Sequence, residues 1–331
     1  MRTSRRHLIA ATASACTAGF AVDRYRSASH SNEFLDRGGP RSAVAVLRAA
    51  DYSKELARTI AEGMKICGLT VKGKRVLLKP NLVEFDAGTV INSDVAVVAA
   101  AFEACSSLGA AEVIIGEGPG HRHDTYTIAE QAGYRGLLSN FDSHFVDLNR
   151  DEVSRVANFV TEPEFYFPNT ALRADLIVSI PKMKTHHWAG ATLAMKNYFG
   201  LVPGSIYGWP KNTLHLLGMH QSIMELNRVF ANSFAIVDGI VGMEGNGPIQ
   251  GNPKPTGVLV MGSDLRAVDA TCCRIMGIDP ARIEYIRSSS HLGNATEQAI
   301  EQRGETIAGV QTNYALIGEQ EELRSVPAKA T

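Results

Sequence analysis

Short apolar runs alternate along this chain with segments of helical length, and that alternation restricts the possible folds more than any other feature. Val44-Ala-Val-Leu47, Arg75-Val-Leu-Leu78, Glu112-Val-Ile-Ile115, Asp175-Leu-Ile-Val-Ser-Ile180, Phe234-Ala-Ile-Val237 and Val258-Leu-Val-Met261 read as strands. Helical patterns fall over Ser53–Leu69, from a cap at Ser93 or Asp94 through Leu108, over Trp188–Phe199, over Leu214–Phe230 and over Arg266–Met276. Strands this short and this continuously apolar have both faces covered, and a helix between two of them is the usual parallel crossover. The expected fold class is therefore α/β, a mostly parallel sheet covered by helices on both faces. The aromatic, irregular stretch Asn140–Asn169 would cover one edge or form a small subdomain.

In such a sheet ligands bind beyond the carboxyl ends of the strands, where the crossover loops gather. Five polar or glycine-rich clusters follow the strands here: Lys79-Pro-Asn-Leu-Val-Glu84, Gly116-Glu-Gly-Pro-Gly-His-Arg-His-Asp124, Pro181-Lys-Met-Lys-Thr-His-His187, Asp238-Gly-Ile-Val-Gly-Met-Glu-Gly-Asn-Gly-Pro248 and Gly262-Ser-Asp264. The third is the densest, because Lys182, Lys184, His186 and His187, with Lys196 following, stand at the end of a buried run that Pro181 stops. Positive charge held beside a core suits an anionic small molecule. Lys184 and His186 are the candidate catalytic pair, since neighbouring cations and burial bring lysine and histidine toward neutral pKa values. Lys79, Asn81, Glu117, Lys182, Lys196, Asn197, Asp238, Glu244, Gly245 and Gly247 are the candidate ligand-binding residues, with the Gly242–Gly251 loop turning its N–H groups toward the anion. His121, His123, His215 and His220 read as surface or packing histidines.

The chain has 331 residues, 45% hydrophobic and 20% charged, with a net charge of −1. That is ample for a large core, and with no long basic stripe it gives no footprint for nucleic acid. The five cysteines, Cys16, Cys67, Cys105, Cys272 and Cys273, include no C-x-x-C pair, so an iron–sulfur cluster or structural zinc held by this chain alone is not expected. The last four fall in helical patterns and read as small buried hydrophobes. Neither G-x-S-x-G nor H-E-x-x-H occurs, which removes the usual signatures of serine hydrolases and zinc proteases.

The N-terminus is a separate matter. Arg5-Arg6 precede the weakly apolar Ala10–Val22, too short and polar to be a permanent transmembrane span, and the pair reads as a twin-arginine export signal. The expectation is an exported, periplasmic protein whose partner on the way is the twin-arginine machinery. Cys16 behind Ala13-Ser-Ala15 permits a lipoprotein anchor as the less favoured form. Residues 1–30 carry five arginines and one aspartate, so their removal takes the net charge from −1 to about −5.

Lys79-Pro-Asn-Leu, Gly116-Glu-Gly, Pro181-Lys-Met-Lys-Thr-His186, Lys196-Asn-Tyr-Phe-Gly200, Asp238–Pro248 and Ala267-Val-Asp269, in this order, resemble the DUF362 family, a domain of unknown function. The resemblance implies an α/β domain over residues 44–293; the export signal at 1–30 and a polar linker at 31–43, read from the residues themselves, precede it, and a C-terminal extension at 294–331 follows. Some relatives carry an appended ferredoxin-like segment with clustered cysteines; this chain lacks those cysteines, so the resemblance brings no cluster with it. It names no reaction and no cofactor. Two classes of function suit the rim: an enzyme using Lys184 and His186 in proton transfer on an anionic substrate, or a non-catalytic periplasmic protein for ligand binding or cofactor maturation.

Overall fold

The computed structural model describes residues 34–120, 124–138 and 140–324, so the export signal, His121 and His123 lie outside the described residues. In chain order the main sheet contains β1 (Ser42–Arg48), β2 (Arg75–Pro80), β3 (Glu112–Glu117), β4 (Phe145–Asp147), β7 (Leu176–Ile180), β8 (Lys182–His186), β9 (Gly190–Thr192), β10 (Ser233–Asn246), β11 (Gln250–Gly262) and β12 (Ile300–Gly304). Between β4 and β7, β5 (Val153–Phe159) and β6 (Glu162–Pro168) pair as a separate hairpin. The strand order is β12-β1-β11-β10-β7-β2-β3-β4, with β8 paired to β10 and to β9. Pairing along that order is parallel except where β11 runs antiparallel to its two neighbours, β1 and β10.

The principal helices are α1 (Leu56–Ile66), α2 (Val95–Ser107), α3 (Thr125–Gln131), α4 (Met219–Val229) and α5 (Leu265–Ile275). Helices α1 and α2 pack on one face of the sheet, where Ile60, Val97 and Ala101 meet Leu78, Val178, Ile236 and Met261. On the other face α5 packs against β1, β10 and β11, and a short 3-10 turn, Lys196–Leu201, lies against β2 and β7. Every residue of β7 is buried, as a strand covered on both sides must be. Asp94 caps α2 by accepting from Ala96 N–H, while Ser93 accepts from Asn81 N–H and donates to the Ile180 carbonyl, stitching the ends of β2 and β7.

Four sequence expectations change. Pro181 does end β7, but the chain resumes at once as β8, because its carbonyl accepts from Asp238 N–H and hands the strand to β10. Trp188–Phe199 is not a helix: Gly190 adopts φ +77, β9 returns antiparallel to β8, and only Lys196–Leu201 turns in 3-10 form. Leu214–Phe230 breaks at Gly218, where φ is +96, into Thr213–Leu216 and α4. The glycine-rich Gly242–Gly251 segment is a hairpin continuous with β10 and β11 and not a free loop. Within Asn140–Asn169, Phe159, Phe165 and Phe167 pack together and Phe165 stacks on Tyr207 with centroids 4.1 Å apart. Beyond residue 293 the chain adds β12, parallel to β1, as an edge strand of the same sheet.

Candidate functional site

The carboxyl ends of β2, β3 and β8 and the tip of the β10–β11 hairpin surround a cavity of about 960 Å3. A smaller one, about 480 Å3, lies at the opposite end of the sheet, beside Ser42 and Ser233. The larger cavity gathers the titratable side chains: Lys79, Lys184, Lys196 and Lys211 all line it together with His186. Of the residues singled out in the sequence, Asn81, Glu117 and Asn197 line it too.

Lys79 is the neutralised member of this set. Its Nζ is 2.7 Å from Glu117 Oε2 and also donates to the Pro80 carbonyl and to Asn197 Oδ1, with both side chains buried. Glu117 Oε2 accepts Leu82 N–H as well, and Oε1 accepts Gly118 N–H, so the carboxylate is saturated with donors. Burial lowers the Lys79 pKa and Glu117 offsets part of that fall. Gly200 closes over the pair: a Cβ there would stand 2.0 Å from Glu117 Oε1 and 2.5 Å from Lys79 Nζ. The glycine of the Lys196-Asn-Tyr-Phe-Gly200 motif is thus required by contact with an ion pair.

The other lysines have no ion-pair partner among the described residues. Lys184, fully buried, donates to the carbonyls of Ile91 (2.8 Å) and Pro248 (3.2 Å); burial, then Lys196 and Lys182, push its pKa well below the ordinary lysine value. Lys196 has its Nζ 4.3 Å from the centroid of the Phe199 ring, and burial lowers its pKa to about 8. Lys211, absent from the sequence candidates, donates to the Gly118 carbonyl, and burial brings it to about 7.

His186 Nδ1 accepts the N–H groups of Trp188 (3.0 Å) and Ala189 (3.2 Å), which leaves the proton of the neutral ring on Nε2. Burial first, and then Lys196, hold its pKa far below the ordinary value, so the ring is neutral at physiological pH. His187 has the opposite tautomer, because its Nδ1 donates to the Gly247 carbonyl at 2.7 Å and so pins the hairpin tip. His215, read from sequence as a surface or packing residue, lines the cavity, and its ring edge meets Trp188 and Phe199 at 5.7 and 5.8 Å. His220 lies off the lining, partly buried on α4.

Lys182, Asp238, Glu244, Gly245 and Gly247 lie off the cavity lining. Lys182 and Asp238 form a buried pair, 2.6 Å apart, and Tyr52 donates to Asp238 while accepting from Lys182. Asp238 also accepts Asp94 N–H at the start of α2, so these groups satisfy one another and tie β8, β10 and α2 together. Glu244 pairs with Lys254 and accepts Ala315 N–H on the hairpin's flank. Gly247 sits under the tip, where a Cβ would meet the Thr185 carbonyl at 2.2 Å, and its neighbours Asn246 and Pro248 reach the cavity.

Behind the lysines, Asp269 of α5 accepts Ala194 and Met195 N–H, and Tyr285 donates to it. It thereby fixes the chain just before the turn that presents Lys196 and Asn197, and burial raises its own pKa to about 7. Asn81 Oδ1 and Thr192 Oγ1, both on residues lining the cavity, are buried and have no hydrogen-bond partner among the described residues. Such groups cost free energy unless a ligand or water bonds them. No group of three His, Cys, Asp or Glu side chains among the described residues is arranged to hold a metal ion.

The fold and the cavity define a class: an α/β protein with a cavity at the carboxyl rim of a mostly parallel sheet, lined by buried lysines. Residues 76–274 match the family described as "Domain of unknown function (DUF362)", and the chain belongs to that family. It is 30% identical over 265 residues to "Thylakoid-associated protein sll1697" of Synechocystis sp., covering 76% of this chain and 79% of that protein. Among solved structures it is similar to the lactate racemase apoprotein of Thermoanaerobacterium thermosaccharolyticum, at 13% identity and a TM-score of 0.46 over 72% of this chain. A Thermotoga maritima protein matches at 14% identity and a TM-score of 0.37 over 68% of this chain. The chain spans 57% and 59% of those two solved chains. No helix among the described residues is long and apolar enough to cross a membrane.

Proposed function

We propose that this is an exported protein that binds an anionic small molecule in the rim cavity and performs Lys/His acid–base chemistry on it. One observation carries the reading: Lys184, Lys196 and Lys211 enter a single cavity with no carboxylate paired to them among the described residues, in a chain whose net charge is −1. Glu117 is spent on Lys79 and reaches Lys184 and Lys211 only through space, so these desolvated amines are short of counter-charge, which a bound anion would supply. Asn81 Oδ1 and Thr192 Oγ1 would meet hydroxyl or amide donors of the same ligand. His186 brings an Nε2–H hydrogen-bond donor to the cavity, and Lys184 an amine whose lowered pKa suits it to give up and take back a proton.

The test is calorimetric binding of sulfate and oxalate, followed by screening of carboxylate and phosphate substrates. Binding should weaken with added salt and by tenfold or more in Lys184→Ala, which removes a desolvated cation. Lys184→Met and His186→Gln should each abolish turnover while leaving the fold intact. An anion that binds wild type and Lys184→Ala equally would overturn the site. A ligand bound tightly and released unchanged by wild type, under every condition screened, would replace the enzyme with a binding or maturation protein.

A further inference from the structure

The four lysines of the cavity differ in one respect that anion binding does not require. Lys79 is held by Glu117, Lys184 by the carbonyls of Ile91 and Pro248, and Lys211 by the carbonyl of Gly118. Lys196 has no such acceptor among the described residues; its Nζ rests over the Phe199 ring, 4.3 Å from the centroid, on a residue that is 9% exposed and lines the cavity. An amine tied to oxygen acceptors presents its protons to them, whereas an amine against an aromatic face keeps its nitrogen available. Three features share its cavity. Lys184 and Lys211 supply positive charge on the same cavity. His186 offers its Nε2–H, since Nδ1 is occupied by two backbone donors. Phe199, Trp188 and Ile249 give the cavity an apolar wall.

We propose that Lys196 is the cavity's nucleophile and condenses with the carbonyl of a 2-oxo acid that has an apolar side chain, forming an imine. The proposal rests on the anion-binding reading above and specifies the substrate class. The Lys196 nitrogen, as the free amine, attacks the ketone carbon, and one of its two protons passes by way of solvent to the carbonyl oxygen, giving a carbinolamine. The second proton leaves with the hydroxyl as water and a C=N bond remains; no electrons are gained or lost. The carboxylate next to the carbonyl is the anion that Lys184 and Lys211 hold, and His186 Nε2–H is the donor facing the developing oxygen. Burial lowers the Lys196 pKa to about 8, so roughly a tenth of the chains carry the free amine at pH 7, against fewer than about one in a thousand for an ordinary lysine.

The experiment uses the full chain with phenylpyruvate as probe and sodium cyanoborohydride as trap, read by intact mass and peptide mapping. One reduced adduct per chain on Lys196 is expected, suppressed by excess phenyllactate, which has the same carboxylate but no ketone. Lys196→Arg has no nucleophilic amine at this position and should lose the adduct while circular dichroism shows the fold kept. Lys184→Ala should weaken phenyllactate binding tenfold or more and lower the yield of adduct on Lys196. Labelling spread over surface lysines, labelling of Lys184 or Lys211 in place of Lys196, or an undiminished adduct in Lys196→Arg overturns the proposal. Phenyllactate binding without any adduct overturns it and leaves the anion site standing. If phenyllactate, sulfate and oxalate all fail to bind and no adduct forms, both readings fall.

Discussion

Lysine is charged at neutral pH unless its surroundings forbid it, and the rim cavity forbids it by degrees. Lys79 keeps a carboxylate, while burial lowers Lys196 to about 8 with no opposing charge and Lys211 to about 7 although Glu117 and Asp147 offset part of the fall. An anion stabilises the protonated amines and therefore raises both values. The sign follows: in the pH window above about 7, binding of an already ionised anion must take up protons, so affinity falls as pH rises, approaching tenfold per pH unit for each proton taken up. Sulfate titrated at pH 8 in buffers of different ionisation enthalpy should show net proton uptake, and its affinity should drop between pH 7 and 9. A flat profile over that range would contradict the placement of the anion among these lysines. Lys211 was not legible from sequence, because it follows Trp209-Pro210 in a stretch without strand or helix period and reaches the cavity only through a backbone at φ +62. Lys79 and Lys196 stood out in the sequence because each directly follows an apolar run, and Lys184 and His186 because they stand a few residues beyond the run that ends at Ile180.

At the scale of elements, period and punctuation located the strands and helices, and failed where one side chain overruled the local pattern. Trp188–Phe199 has the spacing of a helix, yet His186 takes the N–H groups of Trp188 and Ala189, and β9 turns back onto β8. Nothing in the spacing reveals a histidine acting as a turn acceptor. The glycines after Asp238 suggested a loop for the same reason that they permit a hairpin pressed onto its neighbour: Gly242 lies where a Cβ would meet the Met183 carbonyl at 2.7 Å, and Gly247 where one would meet that of Thr185 at 2.2 Å. The obstacle at Gly247 is backbone, which cannot rotate away, so Gly247→Ala must lift the hairpin tip. That movement takes the Pro248 carbonyl from Lys184 and the Gly247 carbonyl from His187. The expected outcome is a loss of about 1–3 kcal/mol in stability by urea denaturation, from broken buried hydrogen bonds, together with weaker sulfate binding. Unchanged stability and binding would mean that the hairpin does not form one wall of the site.

For the whole molecule, the order of strands bears on how the chain reaches its place of action. β1, the first strand, pairs with β12 on one side and β11 on the other, and β10 joins that half of the sheet to β7. Residues 42–46 therefore gain their last strand partner only after residues 300–304 have been made, a pairing of high sequence separation. The export proposed above uses a route that carries folded proteins, so it would require this sheet to be closed before transport. The Arg5-Arg6 pair ahead of a weakly apolar run points to the same route from sequence alone. Two variants separate signal from fold. Arg5→Lys with Arg6→Lys should leave a folded, anion-binding protein inside the cytoplasm. Truncation after residue 299 removes β12, should fail to fold, and should not be exported although both arginines remain. Cell fractionation with a protease-protection assay reads both. Export of the double lysine variant at the wild-type level would remove the twin-arginine route, and export of the truncated chain would break the link between a completed sheet and transport.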